Sequence, residues 1–379
     1  MKLAYLSAST IPSRSANSIH VMKMCQAFGQ LGMMTRLYVP DMPADALAAG
    51  ESCHSRYGVA RVFEIERVWW SKLFGRQYVS GFLAAQKAVR DGAQFALARC
   101  IPSACFAARA GLPVVFEYHQ PISDSGRLSR LNELLFDGLI TAPGFRGLVV
   151  ITHALKAHFL ERYPQLAERI FVAPDGADPF PADVQPVDLQ AAGGRLQVGY
   201  VGHLFAGKGM EVVAQLCRQA PFADFHVVGG LERDIEQWKA ELGGQPNIRF
   251  HGFVPHARTA AYIAAFDVVL LPNQKRITWH KAGGDIGQWT SPLKMFEYMS
   301  AGKPIVSSDL PVLREVLQDG RNALLCAPDD IPAWRAALER LNDQTLRTAL
   351  GEQALMDFTA QYSWQRRAES ILKRFSDND

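Results

Sequence analysis

The sequence has no C-x-x-C pair. Its six cysteines, Cys25, Cys53, Cys100, Cys105, Cys217 and Cys326, fit neither a zinc-ligand spacing nor a disulfide framework. Several stand in apolar segments, where a free cysteine behaves as a small hydrophobe. A reducing compartment is therefore expected. Net charge is scarce as well: 40 basic residues face 37 acidic ones and leave only +3. That balance lacks the electrostatic footprint of a nucleic-acid binder. Long apolar runs are missing too, with no window near the roughly 18 uncharged apolar residues of a spanning helix. The opening M-K-L-A-Y-L-S-A-S-T has one lysine and a very short apolar run. A secretory leader needs a longer one, so a first strand and a cytoplasmic protein are expected.

Apolar residues are plentiful. They make up 48% of 379 residues, more than one ordinary core needs and suited to two domains. Short β-rich runs alternate with helical patterns throughout. In the first half the strands are K-L-A-Y-L-S, T-R-L-Y-V-P, R-V-F-E-I, P-V-V-F-E-Y-H, G-L-V-V-I-T and R-I-F-V-A-P. A helix, H-V-M-K-M-C-Q-A-F-G-Q-L-G, is closed by Gly32. Residues 176–195 are rich in proline and glycine and read as a linker. The alternation then restarts with L-Q-V-G-Y-V-G, D-F-H-V-V-G, I-R-F-H-G-F, D-V-V-L-L-P, P-I-V-S-S and A-L-L-C-A-P. Each half is thus a β-α-β series, which implies a parallel sheet covered by helices on both faces. Two such sheets leave a cleft, and ligands of such sheets bind outside the carboxyl ends of the strands.

The richest stretch is T-S-P-L-K-M-F-E-Y-M-S-A-G-K-P, residues 290–304. It reads as a buried helix with Ser291 as N-cap, Pro292 first, Lys294 third, and Gly302 and Pro304 as the stop. Its free N–H groups and roughly half a positive charge make an anion site, to which Lys294 adds a full charge. Glu297 lies about 7–8 Å along the axis from Pro292. A ligand with phosphate at the helix start and hydroxyls beyond would use both residues. The plainer reading is a Lys294–Glu297 pair at i, i+3.

Three further motifs stand at strand ends. V-G-Y-V-G-H-L-F-A-G-K-G-M carries Lys208 in a glycine-rich turn between strand and helix, where backbone N–H groups can approach phosphate. Gly202 to Lys208 matches the start of a P-loop, but Gly209 stands where that loop needs Ser or Thr for magnesium. His119, in V-V-F-E-Y-H-Q-P, ends a strand at the ligand face; a structural pair with Glu117, two residues earlier on the same face, is the alternative. In N-S-I-H-V-M, Asn17 or Ser18 either caps the following helix or faces the cleft.

Taken together, these residues resemble the retaining glycosyltransferases of the GT-B fold, family 4. The resemblance covers nearly the whole chain. Its strongest part is S-P-L-K-M-F-E-Y-M-S-A-G-K-P-I-V-S-S-D followed by P-V-L-R-E-V-L-Q-D-G-R-N-A-L-L. V-G-H-L-F-A-G-K-G-M, N-I-R-F-H-G-F-V-P, A-A-F-D-V-V-L-L-P, V-A-P-D-G-A-D-P and Y-S-W-Q-R-R-A support it. It implies an α/β chain of two Rossmann-like domains facing each other across a cleft, with a C-terminal helix crossing back. The acceptor domain would be 1–180 plus 362–379, the linker 181–195 and the donor domain 196–361.

The resemblance also implies sugar transfer from a nucleotide-diphosphate sugar, with retention and with no metal or other cofactor. Lys208, with Gly207 and His203 in its loop, would contact the diphosphate, and Glu297 the ribose hydroxyls. The base would rest near Gly252, Phe253 and Val254. The helix start at Ser291, Leu293 and Lys294 would meet phosphate or sugar, and His119 would lie beside the donor sugar. The acceptor is a glycan, a lipid-linked molecule or a small molecule.

This sequence departs from the family in three places. Trp289 stands where an earlier glutamate usually contacts the donor sugar. His203 replaces a frequent arginine, whose charge Lys294 can supply. Ala16, Asn17 and Ser18 replace a glycine pair, which restricts backbone approach there. A nucleotide-sugar epimerase or a non-catalytic nucleotide-sugar-binding protein of the same fold is the alternative function. The segment V-W-W-S-K-L-F-G-R-Q-Y-V mixes aromatic and basic residues. Its aromatics are expected in a core, with contact to a lipid-linked acceptor or the inner membrane face as the alternative.

Overall fold

The computed structural model describes residues 1–72, 75–122, 128–190, 194–279 and 284–376. The chain divides into two compact units. One is Met1–Pro174 with Trp364–Asp379, and the other is Asp175–Ser363.

The first unit is built on β1 Lys2–Leu6, β2 Met34–Pro40, β3 Phe63–Val68, β4 Phe95–Ala98, β5 Val114–Tyr118, β6 Phe145–Val150 and β7 Ile170–Val172. They lie in the order β3-β2-β1-β4-β5-β6-β7, every neighbouring pair parallel. Such strands are covered on both faces, so they read as near-continuous apolar runs. Leu3, Ala4, Tyr5 and Leu6 are all buried accordingly. The order reverses between β1 and β4, the topological switch point at which such sheets bind ligands.

The C-terminal helix Trp364–Ser376 belongs to this first unit. It buries Trp364, Ala368, Ile371 and Phe375, an apolar stripe at helical spacing. In the segment around residues 68–79 the expected core packing of the aromatics is only partial, with Trp70 and Tyr78 half-buried. Trp69 is 56% exposed, and Trp70 is covered on one face by the Arg76 guanidinium, 4.8 Å from the ring centroid. Leu73 and Phe74 lie outside the described residues.

The second unit is built on β8 Leu196–Val201, β9 Ala223–Val228, β10 Ile248–Gly252 and β11 Val268–Leu271. A short hairpin follows, β12 Thr278–Trp279 with β13 Gly284–Asp285, and then β14 Ile305–Ser308 and β15 Leu324–Cys326. The large sheet runs β10-β9-β8-β11-β14-β15, again parallel throughout. Its switch point lies between β8 and β11. Residues 181–195 fall in this unit, where Leu189 is buried and Val187 N donates to Ala261 O at 3.1 Å. No described helix is long and apolar enough to cross a membrane. All six cysteines are free thiols.

Candidate functional site

β8 stops at Val201, and the chain turns through residues 202–209 before the helix Met210–Gln219. The turn can form only with glycine at its tight points. Gly207 and Gly209 have φ of +86° and +92°. A Cβ at Gly207 would lie 2.2 Å from Arg276 O, and one at Gly209 1.9 Å from Pro272 O. The Tyr200 hydroxyl donates to His203 O at 2.6 Å and fixes the turn from below. Lys208 therefore stands at the carboxyl end of β8, beside the switch point. Its ammonium has no hydrogen-bond or ion-pair partner among the described residues; the Phe205 ring centroid is 5.3 Å away. Burial pushes its pKa down to about 8.

Lys294 approaches the same turn from the helix Leu293–Ser300. Its Nζ is buried without a hydrogen-bond partner, 3.9 Å from the Tyr200 ring centroid. That cation–π contact is a partial substitute for water. A Cβ added at Gly202 would sit 3.2 Å from this Nζ, so the lysine lies against the turn. Burial first, and then the charge of Lys208, hold the Lys294 ammonium well below the usual lysine range. His203 is also lowered, by burial and by the charges of both lysines. Two ammonium groups, both held below their ordinary pKa and both lacking an acceptor, converge on one glycine turn.

The helix start departs from its sequence reading. Pro292, not Ser291, is the N-cap, so Leu293 is the first helical residue and Lys294 the second. Ser291 Oγ instead accepts from Asp175 N at 3.1 Å. No side chain caps this helix, so its leading N–H groups have no side-chain partner. The simple Lys294–Glu297 pair is not formed either. Glu297 Oε1 accepts from Nε2 of His256, 2.7 Å away. His256 is the first residue of the helix His256–Ala265, just past the turn that ends β10. Within that turn Gly252 has φ +73° and its carbonyl accepts from Gly229 N at 2.7 Å. Phe253 is 39% exposed, an apolar ring held at the surface, and Val254 packs against the core.

In the first unit, Asn17 and Ser18 serve the loop after β1. Ser15, not either of them, caps the helix Ala16–Gln30 by accepting from Ser18 N. Ser18 Oγ donates to Ser15 O at 2.8 Å, and Asn17 Nδ2 donates to Ser9 Oγ at 2.6 Å. His119, just past β5, is indeed paired with Glu117: Nε2 lies 2.6 Å from Glu117 Oε1, and Nδ1 lies 3.0 Å from an Arg99 amino group. Glu117 is fully buried and is the centre of a larger cluster. His20 Nε2 is 2.8 Å from it, and Arg367 on the C-terminal helix donates to both of its oxygens. Burial alone would raise its pKa, but the charges of Arg367, His20 and Arg99 outweigh that and hold it well below the usual carboxylate range.

Residues 195–344 match the family model described as glycosyl transferases group 1. A 145-residue stretch is 33% identical to a phosphatidyl-myo-inositol mannosyltransferase of Mycobacterium leprae, covering 37% of this chain and 34% of that protein. A longer stretch of 254 residues is 26% identical to a D-inositol 3-phosphate glycosyltransferase of Corynebacterium aurimucosum, covering 61% and 56%. The chain thus spans between about a third and somewhat over half of the length of these relatives.

Solved structures match nearly end to end, two of them as follows. Sucrose-phosphate synthase from Thermosynechococcus elongatus superposes with a TM-score of 0.72 at 16% identity, over 99% of this chain and 98% of that one. HepE of Anabaena, in complex with UDP, gives 0.72 at 16% identity over the whole of both chains. Those likenesses are of fold, and the fold is GT-B.

Proposed function

We propose, for a chain whose residues 195–344 form a glycosyl transferases group 1 domain, that it transfers a sugar from a nucleotide-diphosphate sugar to an acceptor. The observation that carries this reading is the pair of acceptor-less ammonium groups, Lys208 and Lys294, at one glycine turn beside the switch point. A buried cation without a partner is costly. A diphosphate would satisfy both lysines and the uncapped helix start at once.

The chemistry follows from that seat. As the glycosidic bond breaks, negative charge grows on the leaving nucleoside diphosphate. Cations fixed in advance stabilise that charge more in the transition state than in the ground state. They take the part that a metal plays elsewhere, so transfer is metal-independent in this account, with retention at the anomeric carbon. Glu297 accepts from ribose hydroxyls, and the base rests on the exposed Phe253 ring beside Gly252 and Val254. The acceptor, a glycan, lipid-linked or small hydroxyl compound, belongs to the first unit.

The test is a thermal-shift panel of UDP, GDP, ADP and their sugar conjugates, run in EDTA. A ligand that binds only the folded state raises its stability, by about 2.7 kcal/mol at a hundredfold excess over Kd. One nucleoside diphosphate is expected to raise the melting temperature without a divalent ion. No shift from any member, or a shift only with added metal, contradicts the proposal.

A further inference from the structure

The second unit holds a lysine and a glutamate that are placed to pair and do not. Lys294 and Glu297 stand at i, i+3 on one helix, the spacing at which opposite charges meet. The carboxylate is close enough to act on the lysine: its charge raises the Lys294 pKa, against burial and Lys208, which lower it. Yet Lys294 Nζ has no hydrogen-bond partner, and Glu297 Oε1 is taken by His256 Nε2 at 2.7 Å.

A buried ammonium with a carboxylate within reach gains by closing on it. Closing would also cancel the positive charge beside Lys208, and a diphosphate would then meet one cation instead of two. The competing contact comes from elsewhere in the fold. His256 lies 41 residues away along the chain, and both side chains are only about one-fifth exposed, at 21% and 18%. The imidazole N–H is a short, well-placed donor to the oxygen that an ion pair with Lys294 would use.

We propose that His256 is a positioning residue: its Nε2–H draws the Glu297 carboxylate away from Lys294, and so keeps the Lys294 ammonium available to an anionic ligand of the diphosphate class. The inference rests on the reading of Lys208 and Lys294 as a diphosphate seat.

Inorganic pyrophosphate separates the two ideas, because it has neither ribose nor base to touch Glu297. Its affinity is measured by calorimetry on the full chain at pH 7. His256→Ala is expected to weaken pyrophosphate binding about tenfold, the equivalent of about 1.4 kcal/mol. Adding Glu297→Gln to that variant should restore the affinity, since the competing carboxylate is then gone. His256→Gln, whose side-chain amide can still donate to Glu297, should retain most of the wild-type affinity. A merely structural histidine would not be rescued by a change at Glu297. Unchanged affinity in His256→Ala, or no recovery in the double variant, overturns the inference. If pyrophosphate does not bind the wild-type chain, or binds Lys208→Ala equally well, the diphosphate seat itself falls and this inference with it.

Discussion

Lys208→Ala lowers kcat/KM for sugar transfer by roughly 30- to 1,000-fold, a loss of about 2–4 kcal/mol in transition-state stabilisation. The size follows from where the charge sits. It is fixed by a glycine turn, partly shielded from water, and has no partner in the protein to share it with. Nothing needs to reorganise when the diphosphate begins to leave. The same isolation makes the substitution mild for the fold. No hydrogen bond or ion pair among the described residues is lost, and a cation held at a depressed pKa of about 8 is removed. The melting temperature is therefore expected to hold or rise while turnover collapses, as is common where function keeps a group in an unfavourable environment. Kinetics and thermal unfolding on this one variant read both effects. Near-normal turnover removes Lys208 from the site.

Glu117→Leu destabilises the chain by about 3–5 kcal/mol, because two arginine side chains are left buried around a missing carboxylate. Arg367 and Arg99 are 3% and 7% exposed, and Glu117 is fully buried. For a unit of this size the melting temperature should fall by roughly 6–20 °C. The pH dependence follows from the depressed folded pKa. Such a carboxylate adds stability above its unfolded value, near 4.3, and loses it as pH falls through the lower folded value. Wild type and Glu117→Leu should therefore converge in stability only in strong acid. Glu117 also joins the C-terminal helix to His119 within the first unit, so the helix and the histidine depend on one carboxylate. A variant as stable as wild type at neutral pH contradicts this account of the cluster.

The sequence made some of this legible and hid the rest for physical reasons. Strands such as Val114–Tyr118 and Val268–Leu271 open on pairs of β-branched valines within apolar runs, and they announce themselves. Phe95–Ala98 does not, because F-A-L-A carries no β-branched residue and its alanines favour helices in isolation; the sheet overrides that preference. The residues of the lysine site were readable because each follows a local signal, a glycine turn or a helix start. The partners were not. His256 meets Glu297 across 41 residues, and Arg367 meets Glu117 across 250. No local pattern encodes such pairs. Local rules misplaced the cap at Ser291 for the same reason: its hydroxyl was claimed by Asp175, 116 residues away.

Proton uptake on nucleotide binding tests the central claim, that unpartnered lysines form the diphosphate seat. A nucleoside diphosphate identified by the thermal-shift panel is titrated calorimetrically at pH 8.5, in buffers of different ionisation enthalpy. Free Lys208, with a pKa of about 8, is mostly neutral there. Against a diphosphate it is protonated, so binding takes up at least about half a proton per nucleotide, and affinity falls with rising pH by up to about tenfold per unit. Lys294, shifted in the same direction, adds to the uptake. Uptake that falls in Lys208→Ala, leaving only the share that Lys294 contributes, is the predicted result. Binding with no proton uptake, or with proton release, contradicts the account.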